Sequence, residues 1–447
     1  MAGERRPAEE GAAAGGAEEP GAKRARAGRE GGAGAGAGAE GGMAAAAAWA
    51  AFRALGSPAR HVAPMVDGSE LAFRMLCRRH GADCAYSPMI HARLFVENQK
   101  YRESYFTTCG EDRPLLAQFC ANEPATLLAA AQLLEDRVDM VDLNLGCPQR
   151  IAKRGNYGAF LMDDLQRVEA MVSLLSRELK VPVSCKIRIF PETKPYTQTL
   201  AYAKMLERAG CQLLAVHGRT REQKRTADFR ADWDAIRAVR EHVEIPVLAN
   251  GDVRHLRDAR ALMEYTGAVG VLSADPLLRH PGLFDDAVHD AEGNPTHKPW
   301  SCCDYAEEYL DLCVQYDTPH RIIVLHMYRF LGDWFKEHHD LREKFSKLHK
   351  HLKGEEKFAL MREVCDELRE RIKACGRSAP VPKLSERALA RLEREEAVKA
   401  AKEEQDREVR ALAEVDAMKA RMEGAAVGAG GGGSGAEAAT SAGDQGK

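Results

Sequence analysis

The chain has 447 residues, of which 29% are charged, and its 64 Lys and Arg and 67 Asp and Glu give a formal net charge of −3. Because a nucleic acid contacts a local patch and not the average charge, this near-balance neither requires nor excludes such a partner. No run of about 18 apolar residues occurs, so no membrane-spanning helix is expected, and the N-terminus lacks the apolar core of a signal peptide. The twelve cysteines are therefore predicted to be free thiols in a reducing compartment. We expect a cytoplasmic protein, and the sequence does not decide whether part of it is nuclear.

Both ends of the chain are predicted to be disordered. Residues 1–48 contain no Val, Ile, Leu, Phe, Tyr or Cys, and residues 424–447 have a similar composition rich in Gly and Ala. A segment that buries no large apolar side chain does not offset the entropy lost on ordering. The 375 residues between these tails suit one barrel of about 250 residues and a smaller domain.

From about residue 60, short apolar runs alternate with segments of helical length, which is typical of βα units around a parallel sheet. The runs are continuous, as expected for strands buried on both faces. Eight units over roughly 225 residues predict a (β/α)₈ TIM barrel, which we place at residues 58–295. An open doubly wound sheet is the alternative, and the lack of a GxGxxG motif after an early strand counts against it. The runs are His61–Val66, Asp83–Pro88, Leu115–Cys120, Met140–Leu145, Val183–Ile189, Leu213–His217, Pro246–Asn250 and Val269–Ser273.

Polar or unusual residues end six of the eight predicted strands. The C-terminal ends of barrel strands meet at one mouth, where the active sites of these barrels lie. One such residue is unremarkable, but six in register are not explained by packing alone. They are Pro64-Met65-Val66-Asp67, Gln118, Asn144 to Cys147, Lys186 with Arg188, His217 with Arg219, and Asn250-Gly251-Asp252.

Residues 300–377 are predicted to form a small helical domain. Over residues 319–377 the chain has 14 Lys or Arg, 10 Asp or Glu and six His, interleaved with aromatic residues. This mixture is typical of a surface that binds a phosphate backbone, and equally of a helical domain with an aromatic core and a solvated face. Composition leaves both open. The predicted helices are Asp304–Gln315, Arg321–His338 and Lys357–Lys373.

Two further features lie in the C-terminal third. Residues 384–422 predict one helix dense in charge, with a thin apolar stripe and opposite charges four residues apart. Cys302, Cys303, Cys313 and His320 are residue types that bind zinc, but their spacing is loose. We therefore predict ordinary thiols and no metal.

A cysteine follows a glycine at the fourth predicted strand end, in Asn144-Leu145-Gly146-Cys147-Pro148. At the mouth of a barrel such a thiol is a candidate nucleophile or general acid, and a buried structural cysteine is the alternative. Lys153 and Arg154 follow it, and cations there would lower the pKa of the thiol and attract an anionic substrate.

Lys186, His217 and Gln118 would supply hydrogen-bond donors to a polar planar ring, and Lys186 would stabilise negative charge that develops there. A salt bridge for Lys186 and an ordinary hydrogen-bonded role for His217 are the alternatives. Asn250-Gly251-Asp252 ends the seventh strand, where these barrels commonly bind phosphate through backbone N–H groups and a helix N-terminus. Position therefore predicts a cofactor that carries phosphate.

Taken together, these motifs resemble the motif series of the tRNA-dihydrouridine synthases from about residue 58 to 290, and the helical domain that follows fits as well. The Tyr157 region and the long tail are most similar to the eukaryotic branch called tRNA-dihydrouridine synthase 1-like. The segments that carry the resemblance are Ala63-Pro64-Met65-Val66-Asp67, Ala117-Gln118-Phe119, Asn144 to Pro148 with Gly155 and Gly158-Ala159, Cys185-Lys186-Ile187-Arg188, Val216-His217-Gly218-Arg219-Thr220 and Ala249-Asn250-Gly251-Asp252.

The resemblance implies a flavin reductase of RNA that binds FMN at the barrel mouth and takes NADPH as reductant. Hydride would pass from the flavin to C6 of a uracil, and Cys147 would donate a proton to C5. The substrate would be tRNA, at uridines 16 and 17 of the D-loop, and residues 300–377 would bind part of it. We expect a monomer with no membrane partner.

The resemblance also implies a role for each matching residue. The residues implied to bind FMN are Pro64, Met65 and Val66 under the isoalloxazine ring, Gln118, Lys186 and His217 at its polar edge, and Asn250, Gly251 and Asp252 at the ribityl phosphate. The residues implied to bind substrate are Asn144 and Arg188, which would flank the base, together with Lys153, Arg154 and Arg219.

One position departs from the family pattern. The family usually has Gly-Arg after the eighth strand, where the Arg helps to bind the FMN phosphate, whereas this chain has Ala274-Asp275. An acid near a phosphate is unfavourable, so we expect either weaker FMN binding or a substitute cation such as Arg254 or Arg279. The backbone N–H of Ala274 would still be able to donate.

Two other functional classes stay open. A flavin barrel acting on a free pyrimidine would not need residues 300–377. An RNA-binding barrel that has lost catalysis is supported only by the departure at Ala274-Asp275. The presence of Cys147, Lys186 and His217 favours the tRNA-modifying enzyme over both.

Overall fold

The computed structural model describes residues 37–224, 229–348 and 354–381, together with residue 404. In this part of the chain, nine parallel strands form one sheet, and eight of them close into a barrel. The strands are β1 (Arg60–Val62), β2 (Cys84–Tyr86), β3 (Ile90–His91), β4 (Leu115–Cys120), β5 (Met140–Leu145), β6 (Val183–Arg188), β7 (Leu213–His217), β8 (Val247–Asn250) and β9 (Gly270–Ser273).

The barrel closes because β1 pairs with β9 on one side and with β2 on the other, and β2 also pairs with β4. Each of the eight predicted runs overlaps one barrel strand, so the predicted TIM barrel is confirmed and the open-sheet alternative is wrong. The short strand β3 was not predicted. It pairs with Phe119 and Cys120, the last residues of β4, and therefore lies at the C-terminal mouth.

Helices surround the barrel between successive strands. The helices that begin at Leu165 and Trp233 are capped by Asp164 and Asp232, whose side chains accept hydrogen bonds from the first helical turn. Gly267, in the left-handed conformation, follows the end of the helix Leu256–Thr266. The helices up to the end of the barrel are α1 (Ala37–Ala54), α2 (Leu71–Arg79), α3 (Ala92–Glu97), α4 (Gln99–Tyr105), α5 (Pro124–Gln132), α6 (Arg150–Arg154), α7 (Leu165–Glu178), α8 (Thr197–Arg208), α9 (Trp233–His242), α10 (Leu256–Thr266) and α11 (Asp275–Arg279).

Helix α1 covers the N-terminal end of the barrel. Phe52 is buried among side chains that point into the barrel, including Tyr86, and Trp49 Nε1 donates to a backbone carbonyl at 2.8 Å. The prediction of a disordered tail over residues 1–48 is therefore wrong at its C-terminal end, where Ala48 is fully buried. Alanine has the highest helix propensity, so this Ala-rich segment forms a helix without large apolar side chains. The rest of the predicted tail lies outside the described residues.

The described residues of the segment 300–377, which are 300–348 and 354–377, are mainly helical, as predicted, and the first of their helices, Ser301–Gln315, packs against the barrel helix α2. The predicted helix Arg321–His338 is wrong beyond Leu331. The helix ends before Gly332, where the backbone lies so close to the Tyr328 carbonyl oxygen that an added Cβ would be 2.2 Å from it, and a 3₁₀ turn follows. The helices are α12 (Ser301–Gln315), α13 (His320–Leu331), α14 (His339–Leu348), which was not predicted, and α15 (Glu355–Cys375).

The predicted charged helix at 384–422 and the tail at 424–447 lie outside the described residues. Within the described part, no helix is long and apolar enough to cross a membrane. The same part contains no group of three or more His, Cys, Asp and Glu side chains arranged to hold a metal ion, and its twelve cysteines are free thiols.

A buried polar cluster joins the helical domain to the segment that follows β1. Glu70, directly before α2, accepts a hydrogen bond from Tyr309 Oη at 2.6 Å and pairs with Nε2 of the fully buried His326 at 3.0 Å. Nearby, Arg321 of α13 donates two hydrogen bonds, of 2.8 and 2.7 Å, to the carboxylate of Asp67. The helical domain is thereby fixed against the barrel mouth.

Candidate active site

A cavity of 1040 Å³ opens at the C-terminal ends of the barrel strands. Its volume is at the upper end of the range for small-molecule and cofactor sites. Most of the predicted site residues line it, which brings together segments that are far apart in the sequence, from Pro64 to Asp275. They are Pro64, Val66, Gln118, Asn144, Cys147, Lys186, Arg188, His217, Arg219, Asn250, Gly251, Asp252, Ala274 and Asp275.

A chain of buried hydrogen bonds crosses the floor of the cavity from β6 to β4 and back to β5. Ser184 Oγ donates to Asp142 at 2.7 Å, Gln118 Nε2 donates to the other oxygen of Asp142 at 2.8 Å, and Asn144 Nδ2 donates to Gln118 Oε1 at 2.7 Å. Burial raises the pKa of Asp142 to about 6, although the hydrogen bonds from Ser184 and Gln118 oppose the shift. This series of hydrogen bonds fixes the orientation of the Gln118 and Asn144 amides.

The Asn144 side chain in turn holds the cysteine loop. Its Oδ1 accepts from the backbone N–H of Cys147 at 2.9 Å and from that of Gly146 at 3.2 Å. Arg188 Nε donates to the carbonyl of Gly146 at 2.9 Å from the other side. Gly158 packs so closely that an added Cβ would lie 2.7 Å from the Cys147 carbonyl oxygen, which explains why a glycine is needed there.

The Cys147 thiol is half-buried at the cavity wall. Burial raises its pKa above the ordinary thiol value, and a backbone hydrogen bond and the charges of Arg188 and Lys186 only partly offset this. The expectation that neighbouring cations give it a lowered pKa is therefore wrong, because desolvation outweighs them. At neutral pH the group is a protonated thiol, which suits a proton donor better than a nucleophile.

Lys186 reaches across the cavity from β6 to β8. Its Nζ donates to Asn250 Oδ1 at 2.7 Å, and Asn250 Nδ2 donates to the carbonyl of Leu272 at 2.9 Å. Burial, assisted by the charge of Arg188, lowers the pKa of Lys186 to about 8. Lys186 has no carboxylate ion pair within the described part of the chain, so the salt-bridge alternative is wrong. Its ammonium remains mainly protonated at neutral pH and has donors left for a ligand.

His217, Arg219 and Asp252 form a second hydrogen-bonded group at the ends of β7 and β8. Arg219 is buried and directs all three of its donor groups inward: to His217 Nε2 at 3.0 Å, to Asp252 at 2.5 Å and to a backbone carbonyl. Burial and the charge of Lys186 lower the pKa of His217, so its ring is neutral. Because a guanidinium only donates, Nε2 accepts, and the remaining proton is on Nδ1, where it can serve a ligand.

This arrangement bears on two predicted roles. The Asp252 carboxylate also accepts a hydrogen bond from the backbone N–H of Ala231 at 2.7 Å. It therefore holds the protein loop together and has few free acceptor sites for a cofactor. Arg219 likewise uses one N–H of each guanidinium nitrogen within the protein and is only 2% exposed, so little of it is available to a substrate. Both residues line the cavity, but the contacts favour a role in positioning His217 and the Gly251 backbone.

The outer end of the cavity is where the phosphate of a cofactor is predicted to lie. Gly251 has a φ of 126°, and a Cβ added there would lie 2.5 Å from Ala231 Cβ, so only glycine fits. Both Arg254 and Arg279 line this end, as the substitute-cation prediction requires. The Asp275 carboxylate also lies here and is 3.4 Å from the Arg279 guanidinium, which offsets its charge.

Three predicted residues do not line the cavity. Met65 packs beneath Gly68, and Lys153 and Arg154 are exposed on α6, outside the cavity wall. Sequence reasoning in turn missed Asp142 and Ser184, which hold Gln118. Both could have been found, because they precede Asn144 and Lys186 by two residues and therefore point to the same face of their strands. The further cavity residues Met89, Gln149, Phe229, Arg230, His255 and His280 carry no motif signal.

Comparison with known proteins identifies the relatives of this chain. A family model described as dihydrouridine synthase (Dus) matches residues 61–385. The chain is 47% identical over 298 residues to a Rattus norvegicus protein named tRNA-dihydrouridine(16/17) synthase (NAD(P)(+))-like, across 66% of this chain and 65% of the relative. It is 49% identical over 239 residues to the Saccharomyces cerevisiae tRNA-dihydrouridine(16/17) synthase, across 52% and 56% of the two chains. It is 36% identical over 268 residues to a Homo sapiens tRNA-dihydrouridine(20a/20b) synthase-like protein, across 59% and 79%. The chain thus spans less than two thirds of the rat and yeast relatives.

Proposed function

The chain belongs to the dihydrouridine synthase family, and we propose that it is an FMN-dependent enzyme that reduces the C5–C6 double bond of uridines in tRNA with NADPH as reductant. The observation that carries the proposal is the 1040 Å³ cavity, in which a protonated thiol, a buried ammonium and a neutral imidazole converge on one space. The greater identity to relatives named for positions 16 and 17 than to one named for 20a and 20b supports D-loop uridines 16 and 17 as targets.

The cavity fits FMN in its shape and its donors. Pro64 and Val66 form an apolar wall for a flat ring, while Lys186 and His217 offer donors to the polar edge of that ring. The closely packed Gly251 loop allows a phosphate to approach the backbone, and Arg254 would supply positive charge. When bound, FMN would supply the hydride that C6 of the uracil accepts.

Cys147 would supply the proton that C5 needs to complete the reduction. Its raised pKa keeps the proton on Sγ at neutral pH, and the bonds from its loop to Asn144 and Arg188 fix the position of the thiol. After the transfer, the thiolate would be stabilised by the charges of Lys186 and Arg188, which face it. The Cys147 thiolate then regains a proton from solvent.

The target uridine must leave the folded tRNA to reach this cavity, because its C5–C6 bond is covered by stacking within the RNA. The D-loop is partly unstacked, which lowers that cost. Asn144 and Arg188 lie beside Cys147 and would flank the base. Outside the cavity, the predicted tRNA contacts are the helical domain at residues 300–377 and the two cations Lys153 and Arg154.

The visible spectrum of the purified chain tests the cofactor. We expect the absorption band of oxidised flavin, its loss when NADPH is added and its return when unmodified tRNA is then supplied without oxygen. A preparation that stays colourless after incubation with FMN contradicts the proposal. Return of the band with free uridine but not with tRNA would instead support the free-pyrimidine alternative.

A further inference from the structure

We propose that the tRNA is bound mainly at the barrel rim beside Cys147, by a cluster formed by Arg150, Lys153 and Arg154 of α6 and by Lys100 and Tyr105 of α4. We call these residues the rim cluster. The inference rests on the proposed function. It places the main tRNA contact at the barrel rim, whereas composition alone had favoured the helical domain.

The position of the rim cluster follows from the fold. Helix α6 begins three residues after Cys147, so Arg150 lies within about 11 Å of that residue along the chain. Helices α3 and α4 follow β3, which pairs only with the last residues of β4 and so lies at the mouth. The Tyr101 hydroxyl accepts from the His91 backbone N–H at 3.0 Å, and the His91 ring contacts Tyr157 edge-on at 5.7 Å. These contacts place α4 and α6 on the same sector of the rim.

The four cations of the rim cluster lack carboxylate partners within the described part of the chain. Among the residues that the structure describes, none of Arg150, Lys153, Arg154 and Lys100 has an ion pair, and α6 contains no acidic residue. The exposed acids on the neighbouring helices are Glu97 and Glu103, so the segments 90–105 and 149–155 together have a net charge of +4. A positive surface of this kind attracts a phosphate backbone.

The helical domain differs in this respect. Between residues 319 and 377, nine of the twelve described Lys and Arg side chains have carboxylate partners, so they contribute little net field to the surface. For example, Lys344 pairs with Glu363 and Glu367, and Lys347 pairs with Glu343. The nine are Arg321, Lys336, Lys344, Lys347, Arg362, Arg369, Arg371, Lys373 and Arg377.

An aromatic surface adjoins the rim cations. Tyr105 stacks on Tyr101 with ring centroids 4.6 Å apart and an interplanar angle of 18°. The Tyr101 hydroxyl is hydrogen-bonded to the His91 backbone, and the Tyr105 ring stacked on it is also half-buried. Single-stranded nucleic acid is bound by surfaces of this composition, with cations along the backbone and aromatic rings under the bases. The occupant is therefore an unstacked loop of the tRNA, next to the uridine that enters the cavity.

A charge-matched pair of triple variants tests the inference in the FMN-loaded chain. One variant combines Arg150→Ala, Lys153→Ala and Arg154→Ala, and the control combines Lys336→Ala, Lys344→Ala and Lys347→Ala; each removes three positive charges. The probe is an unmodified tRNA transcript, titrated at several salt concentrations. We expect the rim triple to lose about 10-fold or more in affinity and its log–log salt slope to fall by up to about 2 to 3, at about 0.7–0.9 per lost phosphate contact. We expect less than about a 2-fold loss for the control.

Tyr105 supplies a second readout that does not depend on charge. Tyr105→Phe retains the ring and should bind as the wild type does, whereas Tyr105→Leu should lose about 5- to 100-fold, the range for one stacked base. Thermal unfolding of each variant verifies the fold. Equal losses in both triples, or a loss only in the control, would overturn the inference and return the tRNA to the helical domain. If the rim triple binds tRNA as the wild type does, the inference is wrong as well. A wild-type chain that binds no tRNA would refute the proposed function itself.

Discussion

The barrel mouth and the helical domain are both rich in polar and charged groups but arrange them differently. At the mouth, Lys186 and the thiol of Cys147 are held in place by neutral amides and backbone groups, so their own chemistry stays available to a ligand. In the helical domain, cations are matched by acids of the same domain, as in the contacts of Arg369 with Asp304 and Asp366. Groups that are satisfied internally stabilise a fold, whereas groups that are oriented but unsatisfied bind and react.

This contrast predicts that substitutions at the mouth change chemistry or ligand affinity with little effect on stability. Substitutions at the face where the helical domain packs against the barrel should lower stability, with little effect on chemistry or ligand affinity. Three variants test the contrast, in order of decreasing effect.

The largest effect is expected for Cys147→Ala. The variant should retain FMN and be reduced by NADPH, but dihydrouridine formation should fall by roughly 10²- to 10⁴-fold, because a positioned acid is lost. Cys375→Ala, which removes a half-buried thiol far from the cavity, is the control. Single-turnover assays with tRNA measure the rate. In the wild type the rate should begin to decline near pH 8, where Lys186 loses the charge that stabilises the thiolate, and should fall further above the raised pKa of Cys147. A Cys147→Ala enzyme of normal rate would show that the proton comes from another group.

An intermediate effect, on stability, is expected for Glu70→Gln at the docking face. Burial raises the pKa of Glu70, but the charge of His326 and the hydrogen bonds from His326 and Tyr309 lower it more, so the net shift is downward. The carboxylate therefore stabilises the fold above its unfolded pKa of about 4.3, and this contribution is lost as the pH falls through the folded value.

At pH 7 we expect Glu70→Gln to lower the free energy of unfolding by about 1–3 kcal/mol, as for a hydrogen bond to a charged group. Thermal unfolding at pH 7 and below pH 4 measures this, and the difference from wild type should shrink at the lower pH. Glu308→Gln is the control, since its bond to His80 of 2.7 Å is more exposed and should contribute less. A difference that is independent of pH would show that Glu70 acts through packing alone.

The smallest effect is expected for Asp275→Arg. This change replaces an acid at the phosphate end of the cavity with a cation, so FMN should bind about fivefold more tightly, the equivalent of about 1 kcal/mol. Flavin fluorescence titration measures the affinity. Asp311→Arg is a matched control, because its carboxylate is also 67% exposed but lies on the helical domain. If both variants bind FMN as the wild type does, residue 275 does not face the phosphate, and the alignment of Ala274-Asp275 with the family's Gly-Arg is wrong.

Sequence reasoning predicted the barrel because its buried strands are continuous apolar runs, and it predicted the mouth because polar residues end those runs. Cys147, Lys186 and His217 were found in this way. What it missed depends on the third dimension. The burial that raises the pKa of Cys147 outweighs cations that are its neighbours in sequence, and the inward donors of Arg219 become visible only when Asp252 and His217 lie beside it.

The helical domain shows the same limit more strongly. Residues 319–377 have a net charge of +4, but the net charge does not show that most of these cations pair with acids of the same domain. The three cations of the five-residue helix α6, by contrast, stand next to Cys147 and have no ion pair among the described residues. Helix α1 was missed because an Ala-rich segment looks disordered until a barrel end is available to bury it.

Mapping of dihydrouridine in a tRNA transcript tests the central claim most directly. The wild-type chain, supplied with FMN and NADPH, is incubated with an unmodified tRNA, and the RNA is digested and analysed by mass spectrometry for the gain of two hydrogens per uridine. We predict this gain at uridines 16 and 17 of the D-loop and its loss in Cys147→Ala. A tRNA that gains no hydrogen while the flavin is reduced and free uridine is consumed would contradict the account.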